Sequence, residues 1–149
     1  RNNWYLENEI SSFKEAVTTN IWTNSIDDAK VSWALRKDYA EAIAKVLTTD
    51  GHENTVYELS RKPVSVKELV GEISKVTGKE ITVNNIDKTQ YSEMLKSNGL
   101  PEPVVEFIVS LQTSITNGSL NVESEDFEKL LGHPVTSIED SVKEIINNL

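Results

Sequence analysis

Seven of the first eight residues, Arg1, Asn2, Asn3, Trp4, Tyr5, Glu7 and Asn8, form the most concentrated chemistry in the sequence. Aromatic faces supply stacking area and amide side chains supply paired donors and acceptors, so the mixture suits a grip on a flat polar ligand. The same residues also read as a polar turn opening a helix with Trp4 in the core, and pattern alone favours that plainer reading. Arg36 and Asp38 bracket a second helix start. Arg36 could meet an anionic group there, although a solvated arginine beside an N-terminal acid is the simpler pattern. His133 has a side chain suited to acid–base work near neutrality, but Gly132-His133-Pro134 reads more simply as a turn. Trp22 and Trp33 sit in strand-like runs and read as core residues rather than as a stacking platform.

Several familiar chemistries lack their residues. There is no G-x-G-x-x-G or G-x-x-x-x-G-K to cradle a phosphate, and no G-x-S-x-G elbow. With Cys 0 there is no thiol nucleophile, disulfide or thiolate metal site. His52 and His133 have no ligand partner at metal spacing, so a zinc or iron site is not expected. A Ser-His-Asp arrangement would have to recruit one of these two turn histidines. No tyrosine is followed by lysine four residues on, the pair that ordinary short-chain dehydrogenases use. The net charge of −9 argues against nucleic acid, whose phosphates need clustered Lys and Arg. No apolar run approaches the roughly 18 residues of a membrane helix, and no signal peptide is apparent. The expected setting is cytoplasmic.

The elements that must position these residues follow from periodicity. Leu6, Ile10, Phe13 and Val17 predict an amphipathic helix. Ile21–Thr23 and 30–35 read as short strands. Tyr39, Ile43, Val46 and Leu47 mark the apolar face of the next helix. Thr55–Leu59 is β-rich, and Ser65 with Glu68 forms a capping box for a helix running from Val66 to Gly78. Ile81-Thr82-Val83 alternates as a strand, which completes an α/β pattern. Tyr91, Met94 and Leu95, then Val104, Phe107, Ile108, Leu111 and Ile115, give two further helical faces. Phe127, Leu130 and Leu131 give a third. Thr136 and Glu139 read as a second capping box before Ile138, Val142, Ile145 and Ile146. Three or four short strands and six helices are too few strands for a complete doubly wound sheet. The 149 residues fit one domain.

Five of these segments resemble one family in the same order. R-N-N-W-Y-L-E-N at 1–8 is similar to the R-N-G-W-Y-x-E-N segment of bacterial NmrA-like NAD(P)H-dependent quinone oxidoreductases, which are atypical short-chain dehydrogenases. A-L-R-K-D-Y-A-E-A-I-A-K-V-L at 34–47 resembles their R-x-D-Y-A-x-A helix start, and H-E-N-T-V-Y-E-L-S at 52–60 their G-x-x-Y-E-L strand. L-K-S-N-G-L-P at 95–101 and L-L-G-H-P-V-T-S-I-E-D-S-V at 130–142 complete the series.

The resemblance implies an α/β fold: the C-terminal, helix-rich, substrate-side part of a Rossmann-type NmrA-like protein, with few short strands and residues 1–149 as one unit. It implies that the glycine-rich dinucleotide-binding half is absent from this chain, an expectation that the missing initiator Met and the early Trp4-Tyr5-Leu6 share. For the parent it implies NADP or NAD as cofactor and hydride transfer to a quinone-like substrate, with weak or no cofactor binding by this chain alone. Asn2, Asn3 and Trp4 would frame the nicotinamide, Tyr5 and Asn8 would contact substrate, and His133 would lie at the outer cleft. No catalytic residue is implied. Asn3 stands where the family usually has Gly, and its side chain could narrow the cleft. The main alternative is a non-catalytic redox-sensing regulator of the same family that binds dinucleotide and a protein partner. A third reading is a small independent α/β binding module. A homodimer through an exposed apolar surface is expected, and neither nucleic acid nor membrane as partner.

Overall fold

A computed structural model describes residues 1–149. Seven helices surround six strands of two to four residues each. The order is β1 (Trp4–Tyr5), a 3-10 turn at Leu6–Glu9, α1 (Ile10–Thr19), β2 (Ile21–Asn24), β3 (Lys30–Val31), β4 (Trp33–Ala34) and α2 (Arg36–Thr48). Then come β5 (Val64–Ser65), α3 (Val66–Thr77), β6 (Thr82–Asn85), α4 (Lys88–Ser97), α5 (Glu102–Thr116), α6 (Asp126–Leu131) and α7 (Ile138–Asn147). The helix-rich α/β class expected from the sequence is the one found.

The strands form three pairs: β1 with β4 and β2 with β6, both parallel, and β3 with β5 antiparallel. Thr55–Leu59 does not form the expected strand. Only Leu59 joins a ladder, in a parallel bridge to Asn2. Residues 2–5 thus lie between Leu59 on one side and β4 on the other, with Trp4 opposite Trp33.

The main core joins Phe13, Trp22, Trp33, Leu69, Ile73 and Val142, bringing α1, α3 and α7 over the short strands. A smaller core holds Tyr39, Ala42, Leu59, Phe127 and Leu131 between α2 and α6. Both tryptophans read as core residues are buried. The apolar face predicted for α2 is buried only at Tyr39, because Ile43 and Leu47 face outward. Val104 and Phe107 of α5 are likewise exposed.

Helix ends follow local chemistry. Ser65 and Glu68 form the expected capping box on α3, and Gly78 ends it in the left-handed region at φ 68°. The capping box read at Thr136 and Glu139 does not exist. Ser137 is the N-cap of α7, accepting from the Asp140 amide, while the Thr136 hydroxyl donates to buried Asp38 at 2.7 Å. Asp38 lies in the first turn of α2, which Leu35 precedes as N-cap.

Asp87 and Gln90 make a capping box on α4, where Asp87 accepts from the amides of Thr89 and Gln90 at 2.8 and 2.9 Å. Replacing Asp87 by alanine is expected to cost about 1 kcal/mol and to fray α4 first. Urea denaturation read against hydrogen exchange at Thr89–Tyr91 would check both.

Candidate functional site

A cavity of about 590 Å³ opens between the N-terminal turn with α1 and the α4–α5 pair. Trp4, Asn8, Glu9 and Glu15 line one side. Tyr91, Met94, Leu95 and Asn98 come from α4 and its C-cap, and Ile108, Leu111, Gln112 and Ile115 from α5. On each of these two helices the spacing of three and four residues places one stripe toward the cavity. The chamber therefore has an aromatic and polar wall facing a mostly apolar one, the usual character of a small-molecule site.

Glu9 is the centre of the polar wall. The indole nitrogens of Trp4 and Trp33 donate to its Oε1 at 2.9 and 3.4 Å. Its Oε2 makes no hydrogen bond to the protein. Burial raises the Glu9 carboxyl above the ordinary 4.5, against the lowering effect of the two indole donors. Burial likewise pushes the Tyr91 phenol up to about 12, with Glu9 and Glu15 adding to it. Glu15 accepts from the Thr23 hydroxyl at 2.9 Å.

A raised carboxyl means that ionising Glu9 disfavours the fold. Its contribution is fully present below 4.5 and is lost as pH climbs through the higher folded value. Glu9→Gln keeps the acceptor for both indoles and removes the charge. It is expected to raise the melting temperature at neutral pH and to leave it nearly unchanged in acid. Thermal scans of both proteins across that range test the sign.

The residues singled out at the N-terminus part company in the fold. Trp4 and Asn8 reach the cavity together. Asn8 accepts from Arg36 at 3.2 Å, and the Arg36 guanidinium lies 5.5 Å over the Tyr5 ring. Tyr5 packs edge-on against Tyr39, which stacks on Phe127. Its hydroxyl accepts from Asn2 at 2.9 Å. Asn3 turns inward, donating to Ser60 at 3.3 Å and to the Leu120 carbonyl at 3.5 Å. Asn2 lies instead at a second depression of about 430 Å³, with Ile43, Val46, Leu47 and Val56. His133 is on the surface, its ring bonded to Glu41 at 3.0 Å and to the Pro134 carbonyl at 2.8 Å. Sequence reasoning misses Glu9 and Gln112 and reads Tyr91 only as part of a helix's apolar face. Nothing in their spacing marks them as a site, because the fold brings them together from three separate helical segments.

A dinucleotide pyrophosphate needs a glycine turn between a strand and a helix N-terminus. Here Gly78 and Gly132 end helices, Gly51, Gly99 and Gly118 lie in left-handed turns just beyond helix C-termini, and Gly71 is inside α3. The residues present therefore do not fit the phosphate part of NAD(P). No helix is long and apolar enough to cross a membrane.

No protein-family model matches the sequence. The chain is 34% identical to quinone oxidoreductase 2 of Escherichia coli over 148 residues, which is 99% of this chain and 52% of that protein. It is 24% identical to the NAD(P)H azoreductase of Xenophilus azovorans over 79% of this chain and 42% of that protein. The crystal structure of the E. coli NADPH-dependent quinone oxidoreductase in complex with NADPH superposes with a TM-score of 0.91, covering 99% of this chain and 52% of that one. The triphenylmethane reductase of Citrobacter sp., 28% identical, also gives 0.91 over the same shares. The chain thus spans about half the length of the relatives it matches most extensively. The chain is similar in sequence to a quinone oxidoreductase and has the α/β fold of the matching half of these NADPH-dependent reductase structures.

Proposed function

We propose that this chain is the substrate-side part of an NAD(P)H-dependent reductase whose acceptor is quinone-like. The observation that carries the reading is the cavity, where Trp4 and Asn8 face the apolar stripes of α4 and α5 in a chain homologous to a quinone oxidoreductase. A flat acceptor with polar edges matches both walls: ring faces bury against Met94, Leu95, Ile108 and Leu111, and edge oxygens meet the Asn8 amide. Arg36 donates to Asn8 and lies over the Tyr5 ring, so in this proposal both act as positioning residues. Asn2 and Asn3 fix the entry of β1 through Tyr5 and Ser60. When bound, NAD(P)H supplies the hydride, and in this proposal residues outside this chain hold its phosphates. The chain's own contribution is to orient the acceptor and exclude water.

The test mixes the whole protein in which this sequence occurs with NADPH and a soluble quinone, following loss of the reduced-nicotinamide absorbance. Quinone-dependent oxidation that falls with Trp4→Ala and Asn8→Ala supports the reading. Dinucleotide binding with no oxidation above background overturns it and favours the regulator.

The second depression belongs to the same proposal. Leu47 is 78% and Val56 64% exposed there, an apolar patch of the kind that seeks cover. The 149-residue chain by itself is expected to self-associate through it. Leu47→Lys with Val56→Lys should shift light scattering toward monomer and remove the dependence of the unfolding midpoint on protein concentration.

A further inference from the structure

We propose that the cavity between α1 and the α4–α5 pair selects its aromatic ligand by charge, admitting neutral and cationic rings and rejecting anionic ones, with Glu9 and Glu15 as the selecting groups. This deepens the acceptor reading above and rests on it for the identity of the cavity as the acceptor site.

The lining contains two carboxyl side chains and no Lys, Arg or His. Glu9 is fixed rather than mobile, since two buried or half-buried indoles grip its Oε1. That leaves Oε2 as the unpartnered atom, free to accept from an N–H or to neutralise a positive group. Glu15 is held by Thr23 through Oε1, and its other oxygen is likewise without a protein partner. The remaining polar groups of the lining are hydroxyls and amides, uncharged at neutral pH, and offer no opposite charge to a sulfonate or carboxylate. Trp4 and Tyr91 add aromatic faces, which favour cations over anions. The wall opposite is apolar, so a charge entering this chamber is weakly screened by solvent and the two carboxyls act on it at increased strength. The protein's net charge of −9 adds to the repulsion of an anion at longer range.

The experiment measures binding by calorimetry, at mildly alkaline pH, of three naphthoquinones that differ only in one substituent: methyl, trimethylammonium-methyl and sulfonate. The expected order is cationic at least equal to neutral, with the sulfonate roughly tenfold weaker than the neutral compound or more. Glu9→Gln with Glu15→Gln should bring the three within about threefold of one another. Glu80→Gln, which removes a surface charge away from the cavity, should preserve the ranking. A naphthyl trimethylammonium and a naphthalene sulfonate form a second pair without quinone oxygens. Charge ranking in that pair, with no binding of the neutral quinone, removes the quinone reading and leaves charge selection standing. Equal affinities across the charge series in both the naphthoquinone set and the naphthyl pair, or a ranking that survives the double substitution, overturn the inference.

Discussion

Replacing Trp33 by alanine is expected to cost the fold about 3–5 kcal/mol, the range for deleting a buried aromatic. Trp33 is 2% exposed and belongs to the main core with Phe13, Trp22 and Leu69. It also pairs with Trp4 across the β1–β4 ladder, and its indole nitrogen reaches Glu9. A domain of this size is stable by only about 5–15 kcal/mol, so the substitution removes a large share of the total. Trp33→Phe separates packing from hydrogen bonding. It keeps most of the ring volume and removes one donor that lowers the Glu9 carboxyl, so the Glu9 titration should move further upward in this variant. Urea unfolding at several pH values reads both effects. A loss below about 1 kcal/mol for alanine would contradict the role assigned to the buried ring.

The same tryptophan shows what the sequence discloses and what it conceals. Periodicity places Trp33 in a buried strand, and local rules place the Ser65–Glu68 cap and the Gly78 stop, because each depends on residues a few positions apart. Thr55–Leu59 is different. Its composition favours a strand, but a strand forms only against a partner, and this chain offers one at Asn2 alone. Thr136 fits a capping pattern yet points at Asp38, a residue 98 positions away. The site has the same division. Trp4 and Asn8 are conspicuous by type and reach the cavity. Asn3, just as conspicuous, is consumed by contacts to Ser60 and Leu120. Glu9 is an ordinary glutamate until the fold surrounds it with two indoles. The ordered resemblance over five segments carried the fold class, and it could not rank the neighbours of a single carboxylate.

The apolar faces of α4 and α5 carry the sharpest functional test. Amphipathic periodicity marks Tyr91, Met94, Leu95, Ile108, Leu111 and Ile115 as core positions; Tyr91 and Ile115 are buried, whereas Met94, Leu95 and Ile108 stay half-buried along an open volume of about 590 Å³. Ile108 is half-buried, lines the cavity and lies outside the main core cluster. An indole at this position can extend into unfilled space, so Ile108→Trp avoids the 1–3 kcal/mol that overpacking a closed core costs. It removes volume that a ligand needs, and affinity for a neutral naphthoquinone is expected to fall at least roughly tenfold, equivalent to about 1.4 kcal/mol. Val104→Trp is the control, because Val104 is 44% exposed on the same helix and does not line the cavity. It should bind as the parent does. Calorimetric titration beside thermal unfolding distinguishes a blocked cavity from a damaged fold. Equal loss of binding in both variants, or none in Ile108→Trp, would mean that the acceptor lies elsewhere.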